Sequence, residues 1–217
     1  MKKGFFHLLS MIPAIFFLAL PISVFAQNYI QSFENGKVDW SNGVVEAAGI
    51  GVPPNDAANP AQGRAIAKNQ AKASARQNLY DLIRNLKIDS KYSVRGLIDQ
   101  QDITQEALKR CLMRCRLVDI SYLSNGSVKA TVALRINGTF AELVLPKDIL
   151  TIDTVLQPKR PLKKAESFTG LVVDCRGLRI KPAMVPVIVD EDGGVVYGSA
   201  YVSRDYAVQQ GMVSYVK

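Results

Sequence analysis

The longest helical pattern in the chain runs from Arg64 to Leu86, RAIAKNQAKASARQNLYDLIRNL, and contains neither glycine nor proline. Alanine is the best helix former, and the apolar residues recur at spacings of three and four, so they share one face. The N-terminal half of that face carries only alanine, which allows close approach of a sheet or a second helix, whereas the leucine-rich end is expected to fill a deeper core. The residues on this face are Ala67, Ala71, Ala75, Leu79, Leu82, Ile83 and Leu86.

Two alternating segments downstream, Arg116–Leu123 and Ser127–Ile136, predict a β-hairpin. Ser124, Asn125 and Gly126 join them, and Asn-Gly is the strongest short hairpin signal in a sequence. We therefore predict an α+β fold, in which one long Ala-rich helix packs its apolar face on an antiparallel sheet that contains this hairpin.

Shorter patterns predict the elements around this helix and hairpin. Residues 27–35 are polar, and we expect them to be loose. The remaining expectations are a strand over Trp40–Gly51, a loop over residues 52–62, a strand over Tyr92–Ile98, a short helix over Asp102–Leu112 capped by Asp102 or Thr104, and a helical turn or strand over Thr139–Leu145,.

The first 26 residues have the pattern of a secretory signal peptide. Lys2 and Lys3 form a positive start, an apolar stretch runs from Phe5 to Val24, and small residues precede the expected cleavage after Ala26,. An uncleaved membrane anchor is the alternative, which two prolines in the stretch disfavour. No later apolar stretch is long enough to span a bilayer. We therefore expect an exported protein, periplasmic or associated with the outer membrane.

Removal of the signal peptide leaves 191 of the 217 residues and, by loss of two lysines, lowers the formal net charge from +8 to +6. This length suffices for one or two small domains with real cores. A basic exported chain is expected to meet anionic lipid, polysaccharide or acidic envelope proteins, whereas nucleic acid is not an expected partner outside the cytoplasm.

The only histidine, His7, lies in the expected signal peptide, so the mature chain contains none. Histidine is the commonest general base near neutral pH and a leading zinc ligand, so Cys-His and Ser-His catalysis and His-based metal sites are excluded. The sequence also lacks a phosphate loop, a nucleophile elbow, a zinc-protease helix and a dinucleotide-binding fingerprint,. We expect no enzyme activity, no cofactor and no metal.

Changes in composition divide the mature chain into three parts. We expect an α+β domain over residues 27–150, a basic, proline-containing linker over residues 151–167, and a smaller β-rich region over residues 168–217,. In the last part, the segments FTGLVVDC, MVPVIVD, VVYGSAYVS and VSYVK have the apolar pattern of short strands,.

The Asp174-Cys175-Arg176 run raises the question of a reactive thiol, because an adjacent arginine can lower a thiol pKa,. A nucleophile also needs a base, and no histidine supplies one, so a strand end followed by a polar turn is the favoured interpretation. Cys111 and Cys115 lie four residues apart. Buried free thiols, or one disulfide between Cys175 and either of the other two, both fit the sequence.

Residues 190–194, DEDGG, combine acidic oxygens with glycine, as calcium loops do,. The later acidic ligands of an EF-hand are missing, because Val195, Val196 and Tyr197 follow. Asp-Gly between two apolar segments is also ordinary hairpin chemistry. The favoured interpretation is therefore a turn.

Arg64, Lys68, Lys72 and Arg76 recur every four residues and form a basic stripe beside the alanine face. A solvated helix face is the usual meaning of such a stripe, and an anionic partner is the functional alternative. The linker adds four further basic residues to the candidate binding site, namely Lys159, Arg160, Lys163 and Lys164.

A small-residue pattern links the strand that ends at Gly51 with the long helix. It consists of Ala48-Gly49-Ile50-Gly51, Arg64-Ala65, Ala71, Ala75, Asn78-Leu79 and Ile83. From about Trp40 to Leu145, the chain resembles the domain of the twenty-kilodalton lipoprotein family, which is itself similar to the N-terminal domain of flagellar assembly protein T. The segment TGLVVDCRGLRIKPAMVPVIVDEDGGVVYG, from Thr169, resembles the C-terminal part of a subset of exported bacterial proteins in that family.

The resemblance implies an α+β domain that acts in envelope or surface-appendage assembly without catalysis. In the similar proteins the position of Cys175 is commonly small and apolar, which implies a structural role for this residue. The chain has no lipobox cysteine, so the lipid anchor of the family is not implied. Similar proteins continue beyond the position of Lys217, so we expect the C-terminal region to be shortened.

We therefore predict a non-enzymatic exported envelope protein with a structural or interaction role in surface or flagellar assembly. Its expected partners are envelope or surface-assembly proteins. One alternative is a binding module for anionic envelope lipid or glycan. The other is a hydrolase that uses carboxylates and no histidine.

Overall fold

The computed structural model describes residues 27–146 and 170–217. The expected signal peptide with its cleavage after Ala26, the linker over 151–167 and the four basic residues of that linker lie outside the described residues. The elements are β1 (Ile30–Phe33), β2 (Gly36–Asp39), β3 (Val44–Gly51), α1 (Pro60–Arg84), α2 (Val94–Asp99), α3 (Gln105–Leu112), β4 (Arg116–Tyr122), β5 (Val128–Arg135), α4 (Thr139–Val144), β6 (Ile188–Val189), β7 (Val195–Tyr197) and α5 (Arg204–Gln210).

Five strands form one antiparallel sheet in the order β1-β2-β3-β5-β4. A second, two-stranded antiparallel sheet pairs β6 with β7 in the smaller C-terminal region. These observations confirm the predicted α+β fold. They also confirm the hairpin of β4 and β5, in which Gly126 takes a positive φ of 82° and the Asn125 side chain accepts a hydrogen bond from the Ser127 N–H at 3.0 Å.

Helix α1 lies against β3 and β5, with its alanine face toward the sheet. The Asn59 side chain caps the N-terminus by accepting a hydrogen bond from Gln62 N, and a proline follows the cap, so the helix begins four residues before the predicted start,. Ala67, Ala71 and Ala75 are completely buried. The predicted close approach of this half of the helix is confirmed.

The C-terminal half of α1 fills the main core, as its leucines predicted. Leu79 and Ile83 are completely buried and share one apolar cluster with Trp40, Leu108 and Phe140. Helices α2, α3 and α4 also contribute buried residues to this cluster. Each buried aliphatic side chain of this size contributes about 1.5–3 kcal/mol relative to exposure.

Two predictions for the sheet region were wrong. Residues 94–99 form helix α2, capped by Ser93, rather than a strand over Tyr92–Ile98. Val94 and Ile98 are its buried residues, and a spacing of four serves a helix face as well as strand alternation in so short a window,. Residues 27–35 are not loose, because β1 pairs with β2 at the edge of the sheet, where polar side chains are tolerated,.

The expected strands of the C-terminal region are shorter than predicted. Residues 170–175 form no strand in the described structure, although the segment is apolar. The segment is exposed, and Val172 has 95% of its surface accessible to solvent. Beyond β7 the chain forms a 3-10 helical turn at Ser199–Tyr201 and then α5, which Ser203 caps. Apolar alternation favours extended backbone, but a strand also requires a partner for its N–H and C=O groups.

The C-terminal region shares the core of the larger sheet. Met184 N and Val185 N donate hydrogen bonds to the carbonyl oxygens of Lys87 and Ile88, at 3.1 and 2.7 Å. Further along, the Arg204 guanidinium donates to the backbone oxygens that end α4. The residues that the C-terminal region contributes to the main apolar cluster are Met184, Val185, Val202, Ala207 and Met212. No helix within 27–146 and 170–217 has the length and apolar character needed to cross a bilayer.

Candidate functional site

The basic residues of α1 lie on one flank of the helix, beside the buried face. Each follows a buried small residue, and a step of one residue is about 100° around a helix. Arg64 and Arg76 are exposed, and Lys68 and Lys72 are half-buried. The structure thus places the four predicted residues of this helix in one row, which we call the basic flank. The buried residues that they follow are Gly63, Ala67, Ala71 and Ala75.

The N-terminal end of the basic flank faces the edge strand β4. Arg64 and Lys68 line a shallow depression together with Tyr122, the last residue of β4. The Tyr122 ring is 60% exposed. Two cations and an aromatic ring therefore meet at one place on the surface, which suits an anionic group attached to an apolar or extended chain.

No carboxylate of the described residues forms an ion pair with the basic flank. The ion pairs in this part of the chain are Lys37–Glu46, Arg95–Asp99, Asp174–Arg176 and Glu142–Arg204. Within residues 27–146 and 170–217, therefore, no carboxylate neutralises the basic flank. An external anion can bind the charges of Arg64, Lys68, Lys72 and Arg76.

Arg84, about two turns beyond Arg76 at the end of the flank, has a different environment,. Its guanidinium lies 5.4 Å from the centre of the Tyr80 ring, a cation–π contact,. The buried Arg84 Nε makes no hydrogen bond with the described residues. This residue belongs to the packing of α1 and not to the candidate site.

Sequence reasoning missed the contribution of β4. Leu117, Val118 and Tyr122 are 41%, 43% and 60% exposed, along a strand that ends the sheet order. Their alternation with polar residues predicted a strand, but a strand order cannot be read from one sequence. An edge position shows only in the assembled sheet.

In the Asp174-Cys175-Arg176 run, the side chains of Asp174 and Arg176 form an ion pair with each other. Arg176 Nη2 lies 2.6 Å from Asp174 Oδ2, and its Nε lies 2.9 Å from Oδ1. Hydrogen bonds from the side chain and backbone of Arg176 lower the pKa of Asp174 from 3.8 to about 2. The arginine is thus occupied by the carboxylate, and the Cys175 Sγ lies 3.8 Å from the Val173 carbonyl oxygen. The polar-turn interpretation fits this geometry, since Leu178 N donates to the Cys175 oxygen at 3.1 Å.

All three cysteines are free. Cys111 is buried in α3, and Cys115 and Cys175 are half-buried. Burial raises the pKa of the Cys111 thiol, against the smaller opposing effect of the Arg114 charge. A raised thiol pKa opposes nucleophilic reactivity.

Residues 190–194 form the hairpin turn between β6 and β7, as predicted. Asp190 N donates to the Gly194 carbonyl oxygen at 2.8 Å, and Gly193 takes a positive φ of 82°. The Asp190 Oδ1 accepts hydrogen bonds from the backbone of Asp192 and Gly194, at 3.1 and 2.6 Å. This carboxylate therefore holds the turn. No cluster of three or more His, Cys, Asp or Glu residues suited to a metal occurs in the described ranges.

A small cavity of about 40 Å³ lies between the main sheet and the C-terminal region. Trp40, Met184 and Met212 are among its lining residues, together with Tyr215. The Tyr215 hydroxyl accepts from Ala183 N at 3.0 Å and donates to Ala183 O at 2.8 Å. The cavity has room for a few water molecules at most.

Residues 170–217 match one family model. Its description is Treponema pallidum Tp0624, second domain. The match covers the described C-terminal region, which contains β6, β7 and α5, and it accounts for less than half of the chain. No curated protein matches the chain. The resemblance of the preceding domain to the lipoprotein family and to flagellar assembly protein T stays a prediction.

Proposed function

We propose that this protein is a non-enzymatic, exported envelope protein that binds an anionic partner through the basic flank of α1. The observation that carries the proposal is the convergence of Arg64 and Lys68 with the exposed Tyr122 ring. The flank has no carboxylate partner among the described residues. Its charges therefore remain available for another molecule.

The spacing of the flank suits a polyanion or an acidic chain. Four helical residues rise about 6 Å, so neighbouring cations lie within the Debye length of about 10 Å at 0.1 M salt. A single exposed ion pair contributes at most about 1 kcal/mol, but several cations acting on one partner add to a useful affinity and speed its association.

The proposed location is the envelope. It rests on the signal-peptide pattern of residues 1–26, with cleavage after Ala26. The resemblance of residues 40–145 to the twenty-kilodalton lipoprotein domain and to the N-terminal domain of flagellar assembly protein T supports a role in surface or flagellar assembly. The expected partners are thus envelope or surface-assembly proteins.

The absence of catalysis is part of the proposal. The mature sequence has no histidine. The cavity beside Tyr215, at about 40 Å³, is too small for an organic substrate,. The larger depression beside Arg64, at about 390 Å³, is lined by Ala61, Arg64, Ala65, Lys68 and Tyr122, with no carboxylate or thiol among these residues. The Asp174, Cys175 and Arg176 group is a turn with an internal ion pair.

Binding of the purified protein to bacterial envelope fractions tests the proposal. We expect retention at about 50 mM NaCl and loss at about 500 mM, because salt screens exposed charges. Lys68→Glu with Lys72→Glu should abolish retention at low salt. Lys109→Glu with Arg110→Glu is the matched control, because it makes the same change of net charge on the exposed side of α3. Equal retention of both double variants would refute the proposal.

A further inference from the structure

Strand β4 has an outer edge that no strand within 27–146 and 170–217 covers. It ends the order β1-β2-β3-β5-β4, and no strand of the described residues pairs with its far side. In an antiparallel pair, alternate residues direct N–H and C=O groups toward one neighbour, so an edge strand leaves the other half unpaired. Such an edge is a template for another extended chain.

The register of β4 fixes which side chains a new strand would meet. Ile120 pairs with Ala130 and Tyr122 with Val128, and both partners are completely buried under α1. The side chains of Ile120 and Tyr122 therefore lie on the face of the sheet that carries α1. A strand added beyond β4 would place its own side chains of that face beside them.

The same added strand would lie beneath the basic flank. Arg64 and Lys68 share a depression with Tyr122 and therefore overhang the end of β4. Because α1 packs closely on the sheet, Arg64 and Lys68 of the basic flank lie close to the end of β4. Carboxylates on alternate residues of an added strand would point toward these two cations.

One feature of β4 limits where the strand can pair. The register shifts between Leu117 and Asp119, a bulge of the kind that protects sheet edges,. From Asp119 to Tyr122 the pairing with β5 is regular. The regular part is also the part that lies near Arg64, so the free edge and the cations coincide.

Charge decides among the occupants of this edge. A second copy paired through β4 would bring two basic flanks together, and its cations would repel. The linker over 151–167 is itself basic, with Lys159, Arg160, Lys163 and Lys164. An acidic chain complements the site.

We propose that the outer edge of β4 binds an extended acidic segment of a partner protein as a sixth strand. The backbone of the segment pairs with Asp119–Tyr122, and its carboxylates contact Arg64 and Lys68. This inference rests on the proposed function, because it assigns a partner class to the same basic flank.

A fluorescein-labelled heptapeptide, Thr-Glu-Thr-Glu-Thr-Glu-Thr, tests the inference by fluorescence anisotropy with the protein lacking residues 1–26. We expect saturable binding that Arg64→Glu with Lys68→Glu weakens by about tenfold or more, since charge reversal replaces attraction by repulsion. The control double variant Lys109→Glu with Arg110→Glu should bind within about twofold of the parent, because its charges lie on α3. Thermal unfolding of each variant checks that the fold is retained.

A second peptide separates strand pairing from charge alone. Replacing the third threonine, at position 5, by proline gives Thr-Glu-Thr-Glu-Pro-Glu-Thr, which keeps all three carboxylates and loses a backbone N–H. We expect about fivefold or greater weakening, together with loss of the amide-exchange protection that the first peptide confers on residues 116–123.

Several outcomes would overturn the inference. Equal binding of the proline peptide would show that charge acts without strand pairing, and the proposed function would stand. Retention by phosphatidylcholine–phosphatidylglycerol vesicles without peptide binding would identify a lipid surface instead. A dimer that the peptide dissociates would identify a second copy. Equal loss of peptide binding in both double variants would show that the effect is not specific to the basic flank, which would contradict this inference and the proposed function.

Discussion

Gly49 of β3 lies directly against the backbone of Ala75 in α1. A Cβ added to Gly49 would lie 2.1 Å from Ala75 N, and one added to Gly51 would lie 1.9 Å from the carbonyl oxygen of Ala67. The helix therefore contacts the sheet through backbone atoms, with no side chain between them. This contact fixes the height of α1 above the sheet, and with it the reach of the basic flank toward β4.

Gly49→Ala is expected to destabilise the fold by about 3 kcal/mol or more, because either α1 or β3 must move to admit the methyl group. Chemical denaturation, followed by circular dichroism, measures the change. Gly170→Ala is the matched control, since no atom lies within 4 Å of the added Cβ. A Gly49 variant as stable as this control would show that α1 does not rest on β3 as described.

Tyr215→Phe should lower the free energy of unfolding by about 1–3 kcal/mol, the usual cost of leaving buried polar groups without partners. The variant removes both hydrogen bonds to the Ala183 backbone while the ring keeps its edge contact with Trp40, 5.7 Å between centroids. Tyr122→Phe, at an exposed ring, should change stability by less than about 0.5 kcal/mol. Equal effects of the two substitutions would contradict the anchoring role of Tyr215.

The stability of the protein should fall at alkaline pH partly through Tyr215. Burial raises the pKa of this phenol, although the hydrogen bond from Ala183 opposes the change. The folded state then holds the proton more tightly than the unfolded state. Its contribution is complete below the unfolded value of about 10 and is lost as pH rises from there through the raised pKa. Denaturation between about pH 9 and 11 should therefore show a shallower decline in Tyr215→Phe than in the parent.

Asp174 should titrate in strong acid. Hydrogen bonds from Arg176 lower its pKa to about 2, so the stabilisation by this pair is present above about pH 3.8 and is lost as pH falls through about 2,. Nuclear magnetic resonance of the side-chain carboxyl should give a midpoint near 2, and Arg176→Gln should move it back toward 3.8. The pair is exposed, so the effect on stability is small. A midpoint unchanged by Arg176→Gln would exclude the ion pair.

Cys111 should react with thiol reagents about tenfold or more slowly than Cys115 and Cys175 in the native protein. Burial both restricts access and raises the pKa of the Cys111 thiol. Alkylation at pH 8, followed by peptide mass spectrometry, measures the three rates. All three thiols should react alike in denaturant. Equal rates in the native protein would place Cys111 at the surface.

Local patterns predicted the elements whose signals do not depend on distant residues. Ala67, Ala71 and Ala75 indicated both the helix and its close contact with a neighbour, because only small side chains permit it,. Asn125 and Gly126 indicated the hairpin, because the turn needs a positive φ. The prediction was wrong where a short segment fits both helical and strand periodicity, as at Val94 and Ile98.

The candidate site was predicted only in part, for a related reason. A spacing of four placed Arg64, Lys68, Lys72 and Arg76 on one flank, since helix geometry is local. The sequence did not show which strand lies beside that flank. From the sequence, Tyr122 was predicted only to lie in a strand. Its position beneath Arg64 depends on the strand order, in which β3 pairs with β5 across more than seventy residues of chain.

By itself, then, the sequence determined the long helix, its alanine face, the β4–β5 hairpin and the basic row, because each follows from dihedral preferences and spacing within one segment. Only the tertiary structure decided that β1 is a strand, that residues 94–99 are a helix, and that β4 lies at an edge below Arg64. Backbone hydrogen bonds between strands and the burial of α1 depend on partners remote in sequence, and those partners are chosen when the whole chain packs.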